Sequence, residues 1–193
     1  MPPKAKVTRE AILDAAFELA REQGFEAITA RRLAERLGCS TQPVLYQFES
    51  VRQILEETYR RADDFHTARL FDGLESAEEP LLALGLNYIR FAAEEKPLFK
   101  FLFQSGWFEG RTLEELIAQP EAAPLLALAG EATGLPEAEC RRVFEALFAA
   151  VHGYASLLAN NAMRWDGEAA RATLTMLFEG LMKRGGDEDE EAL

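Results

Sequence analysis

Residues 29–48 read TARRLAERLGCSTQPVLYQF. Thr29 is a side chain that caps a helix, and Leu33, Ala34 and Leu37 then recur on one helical face until Gly38 stops it. A second helix begins at Ser40, with Pro43 tolerated in its first turn. Only Gly38, Cys39 and the capping residue separate the two. Two short helices joined by a tight glycine-containing turn have the spacing of a helix-turn-helix. Working upstream, Thr8 caps a helix with Glu10 in its first turn, an apolar stripe of Ile12, Ala15, Ala16, Leu19 and Ala20, and Gly24 as its stop.

Downstream the pattern stays helical. Ser50 caps a longer helix over 51–72, Pro80 opens one to residue 95, and Pro97 restarts the chain into Leu98–Phe103. Shorter pieces follow over 112–118 and 120–129. Two long helices, 137–163 and 168–183, close the chain, with Gly185 and Gly186 as their stop. No alternating strand interrupts this, so the spacing predicts an all-α protein of about nine helices.

The 193 residues are 48% hydrophobic and 28% charged, the proportions of a soluble globular chain, with a formal charge of −12. Cys39 and Cys140 lie far apart with no further Cys or His at ligand spacing, which excludes a structural zinc site and argues against a disulfide framework. No membrane span and no secretory leader is expected, so the chain is placed in a reducing cytoplasm. P-loop, G-x-G-x-x-G, G-x-S-x-G and H-E-x-x-H motifs are all missing, and no enzyme activity or cofactor is expected. Residues 1–48 hold Lys4, Lys6, Arg9, Arg21, Arg31, Arg32 and Arg36 against Glu10, Asp14, Glu18, Glu22, Glu26 and Glu35. The first quarter is therefore near neutral and the acidic excess lies beyond it, ending in Asp187, Glu188, Asp189, Glu190 and Glu191. Such a run reads as a solvated tail.

The segment 8–55 resembles the DNA-binding domain of the TetR family of transcriptional regulators. The resemblance runs through Thr8–Ala16, the Gly24-Phe25 turn, Thr29–Ser40 and Phe48. Glu95–Phe99 and Val151–Leu157 resemble one branch of the family's effector-binding region. The resemblance implies a helix-turn-helix DNA-binding domain over 1–49, a helical effector-binding and dimerisation domain over 50–186, and a disordered acidic tail over 187–193. It also implies a homodimer on a palindromic operator of double-stranded DNA. Two positions depart from the family's pattern. Its Tyr three residues before the Phe falls on Leu45, with Tyr46 one place later, and its phosphate-contacting Lys falls on Val51, beside Arg52.

DNA contacts are accordingly expected from Thr29, Arg31, Arg32, Ser40, Thr41, Gln42, Tyr46 and Arg52. Gln42 can pair bidentately with adenine and Thr41 can reach a base or a methyl group, whereas Thr29 beside Arg31 and Arg32 suits a phosphate oxygen. Lys4, Lys6 and Arg9 read either as an arm over the backbone or as a frayed terminus. Cys39 reads as a core residue.

Aromatic residues crowd the stretch 88–108, and Phe144, Phe148 and His152 recur at helical spacing further on. The resemblance makes Tyr88, Phe91, Phe99, Phe103, Trp107, Phe108, Phe148 and His152 candidates for a cavity holding a small apolar or aromatic effector. His152 is either the polar handle of that cavity or a satisfied core residue. Apolar positions Phe144, Leu147, Val151, Leu157 and Leu158, with Leu174, Leu177, Phe178 and Leu181, predict a dimer face on the last two long helices. A ligand-released repressor is the expected function; the alternative is a DNA-binding regulator without a small-molecule effector, controlled by oligomerisation or a protein partner.

Overall fold

The computed structural model describes residues 7–106 and 113–190 and shows ten α-helices among them: α1 (Arg9–Gln23), α2 (Ala30–Arg36), α3 (Thr41–Gln47), α4 (Val51–Leu70), α5 (Pro80–Glu94), α6 (Lys96–Phe103), α7 (Leu113–Ile117), α8 (Ala123–Thr133), α9 (Glu137–Ala159) and α10 (Gly167–Glu190). Single turns of 3-10 helix at Phe25–Ala27, Leu74–Ser76 and Pro120–Ala122 link some of them. The all-α class follows, and no strand occurs among the described residues.

Packing groups these helices into two units. One holds the residues up to 67 and 95–106, the other 68–94 and 113 onward, so this division into packed units falls inside α4. The reason is α6. Its Leu98, Phe99, Phe101 and Leu102 have no exposed surface, and it packs in the first unit against α1. Phe101 stacks on Phe25 with centroids 5.0 Å apart and meets Tyr59 of α4 edge-on. Arg21 of α1 completes the attachment, with two hydrogen bonds of 2.8 and 2.5 Å to the buried Glu95 carboxylate that precedes α6. That bond holds the Arg21 proton more tightly than usual.

The first unit's remaining core comes from the expected stripes. Ile12, Ala15, Ala16, Leu19 and Ala20 of α1 are all buried, as are Leu33 and Ala34 of α2 and Val44 and Phe48 at α3. Thr8 Oγ1 accepts from the Ala11 amide at 3.2 Å, and Thr29 Oγ1 from the Arg32 amide at 3.3 Å. Gly38 takes φ +62° after the end of α2, where the Gly38 amide donates to Glu35 O and the Cys39 amide to Ala34 O. This paired 5→2 and 6→1 closure needs a left-handed residue, which only glycine supplies without strain. Cys39 beside it is half-buried.

In the second unit α5 packs on α9 and α10. At Gly85 a Cβ would stand 2.9 Å from Leu174 Cδ1, so the missing side chain permits a close approach of α5 to α10. Ile117, Ala129, Cys140 and Phe144 form a second cluster joining α7, α8 and α9. α10 runs through Gly185 and Gly186 to Glu190, past the stop predicted there. Glycine lowers helix stability by about 1 kcal/mol but does not forbid it. Among the described residues no helix is long and apolar enough to cross a membrane.

Candidate nucleic-acid interface

α3 owes its orientation to what it buries. Val44 and the following Phe48 point into the core, which leaves Thr41, Gln42, Leu45 and Tyr46 on the opposite side. Steps of three and four residues place these four on one helical face. Tyr46 is 86% exposed and Leu45 49%. The Ser40 backbone begins α3, but its side chain makes no capping bond and is exposed.

Arg9 fixes the far end of this helix. Its guanidinium donates to the Gln47 carbonyl at 2.8 Å, pairs with Glu57 of α4 and lies 4.0 Å from the centroid of the Phe48 ring. The Gln47 side chain in turn donates to the Val7 carbonyl at 3.3 Å. The arm reading is therefore corrected for Arg9. A cation at the C-terminus of a seven-residue helix satisfies a carbonyl the helix cannot, and opposes the negative end of its dipole. Lys4 and Lys6 lie outside the described residues.

α2 and the first turn of α4 carry exposed arginines. Arg31 pairs with Glu35 at 2.9 Å, Arg32 donates to Gln23 Oε1 at 2.5 Å, Arg36 makes two bonds of 2.8 and 2.7 Å to Glu22, and Arg52 pairs with Glu56 at 3.0 Å. Glu35 and Glu22 raise the already high affinity of Arg31 and Arg36 for their protons. Exposed pairs of this kind are weak and screened by salt. Thr29 is exposed too; its oxygen caps α2, which leaves its hydroxyl proton available to an acceptor. Ser50 starts α4 with its Oγ accepting from the Gln53 amide, while Gln53 Oε1 accepts from the Glu49 amide, and this double cap sets the base from which Arg52 projects.

The candidate effector residues belong to both units. Tyr88, Phe148 and His152 meet in the second unit: the Tyr88 hydroxyl lies 2.9 Å from His152 Nδ1, the Phe148 and His152 rings stack at 5.8 Å, and Tyr88 meets Phe148 edge-on at 5.9 Å. Burial pushes the Tyr88 phenol up and the His152 imidazole down, so burial favours the neutral form of both partners. Phe91 is buried on the same helix as Tyr88. Phe99 and Phe103 belong to the first unit, 5.0 Å apart, with His66 edge-on to Phe103 at 5.1 Å. Trp107 and Phe108 lie outside the described residues. The sequence reading passed over His66, which is 6% exposed and whose affinity for a proton burial lowers to a pKa of about 4.

The expected dimer face is likewise divided. Phe144, Leu147, Val151, Leu158 and Leu174 are buried within the chain. Leu177, Phe178 and Leu181 are half-buried, and Leu157 at 47% and Met176 at 66% are exposed.

Residues 12–58 match the family described as bacterial regulatory proteins, tetR family, and residues 81–181 match the tetracyclin repressor-like C-terminal domain. The class C tetracycline repressor protein of Escherichia coli is 48% identical over 52 residues, 26% of this chain and 23% of that protein. The class D repressor of the same organism is 48% identical over 42 residues, 22% of this chain and 19% of that one. These matches span less than a quarter of either relative. A TetR transcriptional regulator from Streptomyces coelicolor superposes with a TM-score of 0.64 at 20% identity, covering 92% of this chain and 98% of that one. A TetR-family regulator from Rhodococcus sp. gives 0.59 at 20% identity over 90% and 98%. At such identities these two structures share the fold.

Proposed function

The chain belongs to the TetR family of bacterial regulatory proteins, and from that premise we propose that it is a homodimeric, cytoplasmic transcriptional repressor that binds a palindromic operator through α3. The observation that carries this is the face of Thr41, Gln42, Leu45 and Tyr46, left outward by the burial of Val44 and Phe48, in a motif whose α2 exposes Arg31, Arg32 and Arg36 and whose α4 exposes Arg52. A helix face of this kind fits the major groove: Thr41 and Gln42 read base edges, and Thr29, Arg31, Arg32, Ser40, Tyr46 and Arg52 hold the phosphates. With a net charge of −12 the chain needs such a confined patch, because exposed charges farther than about 8–10 Å are screened at physiological salt.

Dimerisation uses α9 and α10, with Leu157 and Met176 at the contact, both too exposed to be part of the chain's own core. An apolar or aromatic small molecule binds beside Tyr88, Phe148 and His152 and lowers operator affinity through α4, the helix common to both units. A coupling of about 1–3 kcal/mol weakens binding 5- to 150-fold, and operator DNA weakens the ligand by the same factor.

Selection of bound sequences from random duplex DNA by the full chain tests this. A two-fold symmetric consensus is expected, with Gln42→Ala changing the preferred base at one position per half-site. Enrichment of no sequence, or a consensus that Thr41→Ala and Gln42→Ala both leave unaltered, removes α3 as the reading element.

A further inference from the structure

Leu45 is an aliphatic side chain on an otherwise polar recognition face, and it is held there 49% exposed while its neighbour Val44 is fully buried. A single exposed leucine on a surface needs no explanation. This one stands four residues from Thr41 and three from Gln42, one turn further along the same face. Any surface that covers Thr41 and Gln42 also covers Leu45 and removes its side chain from water.

On the floor of a major groove nearly every group is a hydrogen-bond donor or acceptor. The exception is the C5-methyl of thymine. A leucine pressed onto adenine, guanine or cytosine edges strips water from polar groups and returns no bond, whereas on a thymine methyl it buries apolar surface on both sides. We propose that Leu45 is a specificity-determining residue that selects thymine by its C5-methyl at one position of each half-site. This rests on the reading of α3 as the helix that enters the groove. It assigns a base preference to the position where the sequence departs from the tyrosine of its family, and it leaves Tyr46, 86% exposed beside it, to the backbone.

Burying one methyl-sized group contributes about 0.8 kcal/mol, or close to fourfold in affinity, and two half-sites give about 15-fold. The effect does not depend on charge, so the salt slope stays fixed while the affinity falls.

The experiment uses the full chain and the duplex it enriches from random DNA. Each thymine of that duplex is replaced in turn, in both half-sites, by deoxyuridine, which removes the methyl and keeps every hydrogen-bonding group. Affinity is expected to fall about 15-fold at one symmetry-related pair of positions. Cytosine at that pair should bind more tightly when carried as 5-methylcytosine. Leu45→Ala should bind the thymine and uracil duplexes alike, with an unchanged unfolding midpoint, because the Val44 and Phe48 anchors remain.

Equal affinity for every uracil-substituted duplex overturns the assignment while leaving sequence-specific DNA binding intact. Discrimination that survives in Leu45→Ala overturns it too and transfers the methyl contact to another residue, such as Thr41. Failure to enrich any duplex overturns the groove reading and this inference together.

Discussion

Arg9→Met removes the guanidinium that ties down the end of α3 and keeps most of the aliphatic stem. Three contacts are lost. The charge-assisted bond to the Gln47 carbonyl contributes about 1–1.5 kcal/mol in a partly solvated setting, the Glu57 pair about 0.5 and the contact with the Phe48 ring about 0.5–1. These overlap, so the expected loss of stability is about 2 kcal/mol. Part of it falls on α3 itself, whose last turn must be re-ordered when DNA binds, and an ordering cost of about 1–2 kcal/mol lowers affinity about 5- to 30-fold per half-site. Urea unfolding and fluorescence-anisotropy titration against the selected duplex measure the two effects side by side. The salt dependence distinguishes this from direct contact. A latch residue touches no phosphate, so the log–log slope is unchanged. A slope shallower by about two per dimer at unaltered stability would place Arg9 on the DNA backbone and refute the latch.

Arg31→Ala is the converse case: its exposed pair with Glu35 holds nothing together, so stability is unchanged while the salt slope shallows by about two for the two copies in a dimer. His66 gives an acid-side stability loss. Its folded pKa of about 4 lies below the unfolded 6.5, so the unfolded chain binds the extra proton and the stability present above pH 6.5 is lost as pH falls toward 4, by about 3 kcal/mol in all. Urea midpoints of His66→Leu from pH 7 to 4 should fall less than those of the parent chain; parallel curves would mean that His66 is not the group responsible. Arg21→Met strands the buried Glu95 carboxylate and costs about 2–3 kcal/mol, which Glu95→Gln added to it partly restores; additive losses would show the pair to be uncoupled.

The helix-turn-helix was legible because every signal in it is local. Thr29 accepts the bond that its position before Leu33 and Ala34 implies, and Gly38 takes the one conformation that closes α2 against α3. Arg9 was not legible, because its partners Gln47 and Glu57 are about 40 residues away or more and nothing in a basic N-terminal stretch distinguishes a latch from an arm. The aromatic stretch was legible only as apolar packing. Density showed that Tyr88, Phe91, Phe99 and Phe103 pack somewhere, but α5 and α6 fall in different units, and the break at Glu95 is all that separates them in sequence. His66 did leave a signal. Ile54, Thr58, Ala62, His66 and Leu70 recur every fourth residue, and all five are buried. A polar residue on such a ladder belongs to the core side of its helix.

Hydroxyl-radical footprinting of the selected duplex by the full chain tests most directly that two copies of α3 engage one operator. Two protected clusters related by a two-fold axis are predicted, with centres about 34 Å apart or a multiple of it and two chains per duplex. A single cluster, or even protection along the whole duplex at one chain per site, would contradict a symmetric dimer reading its operator through α3.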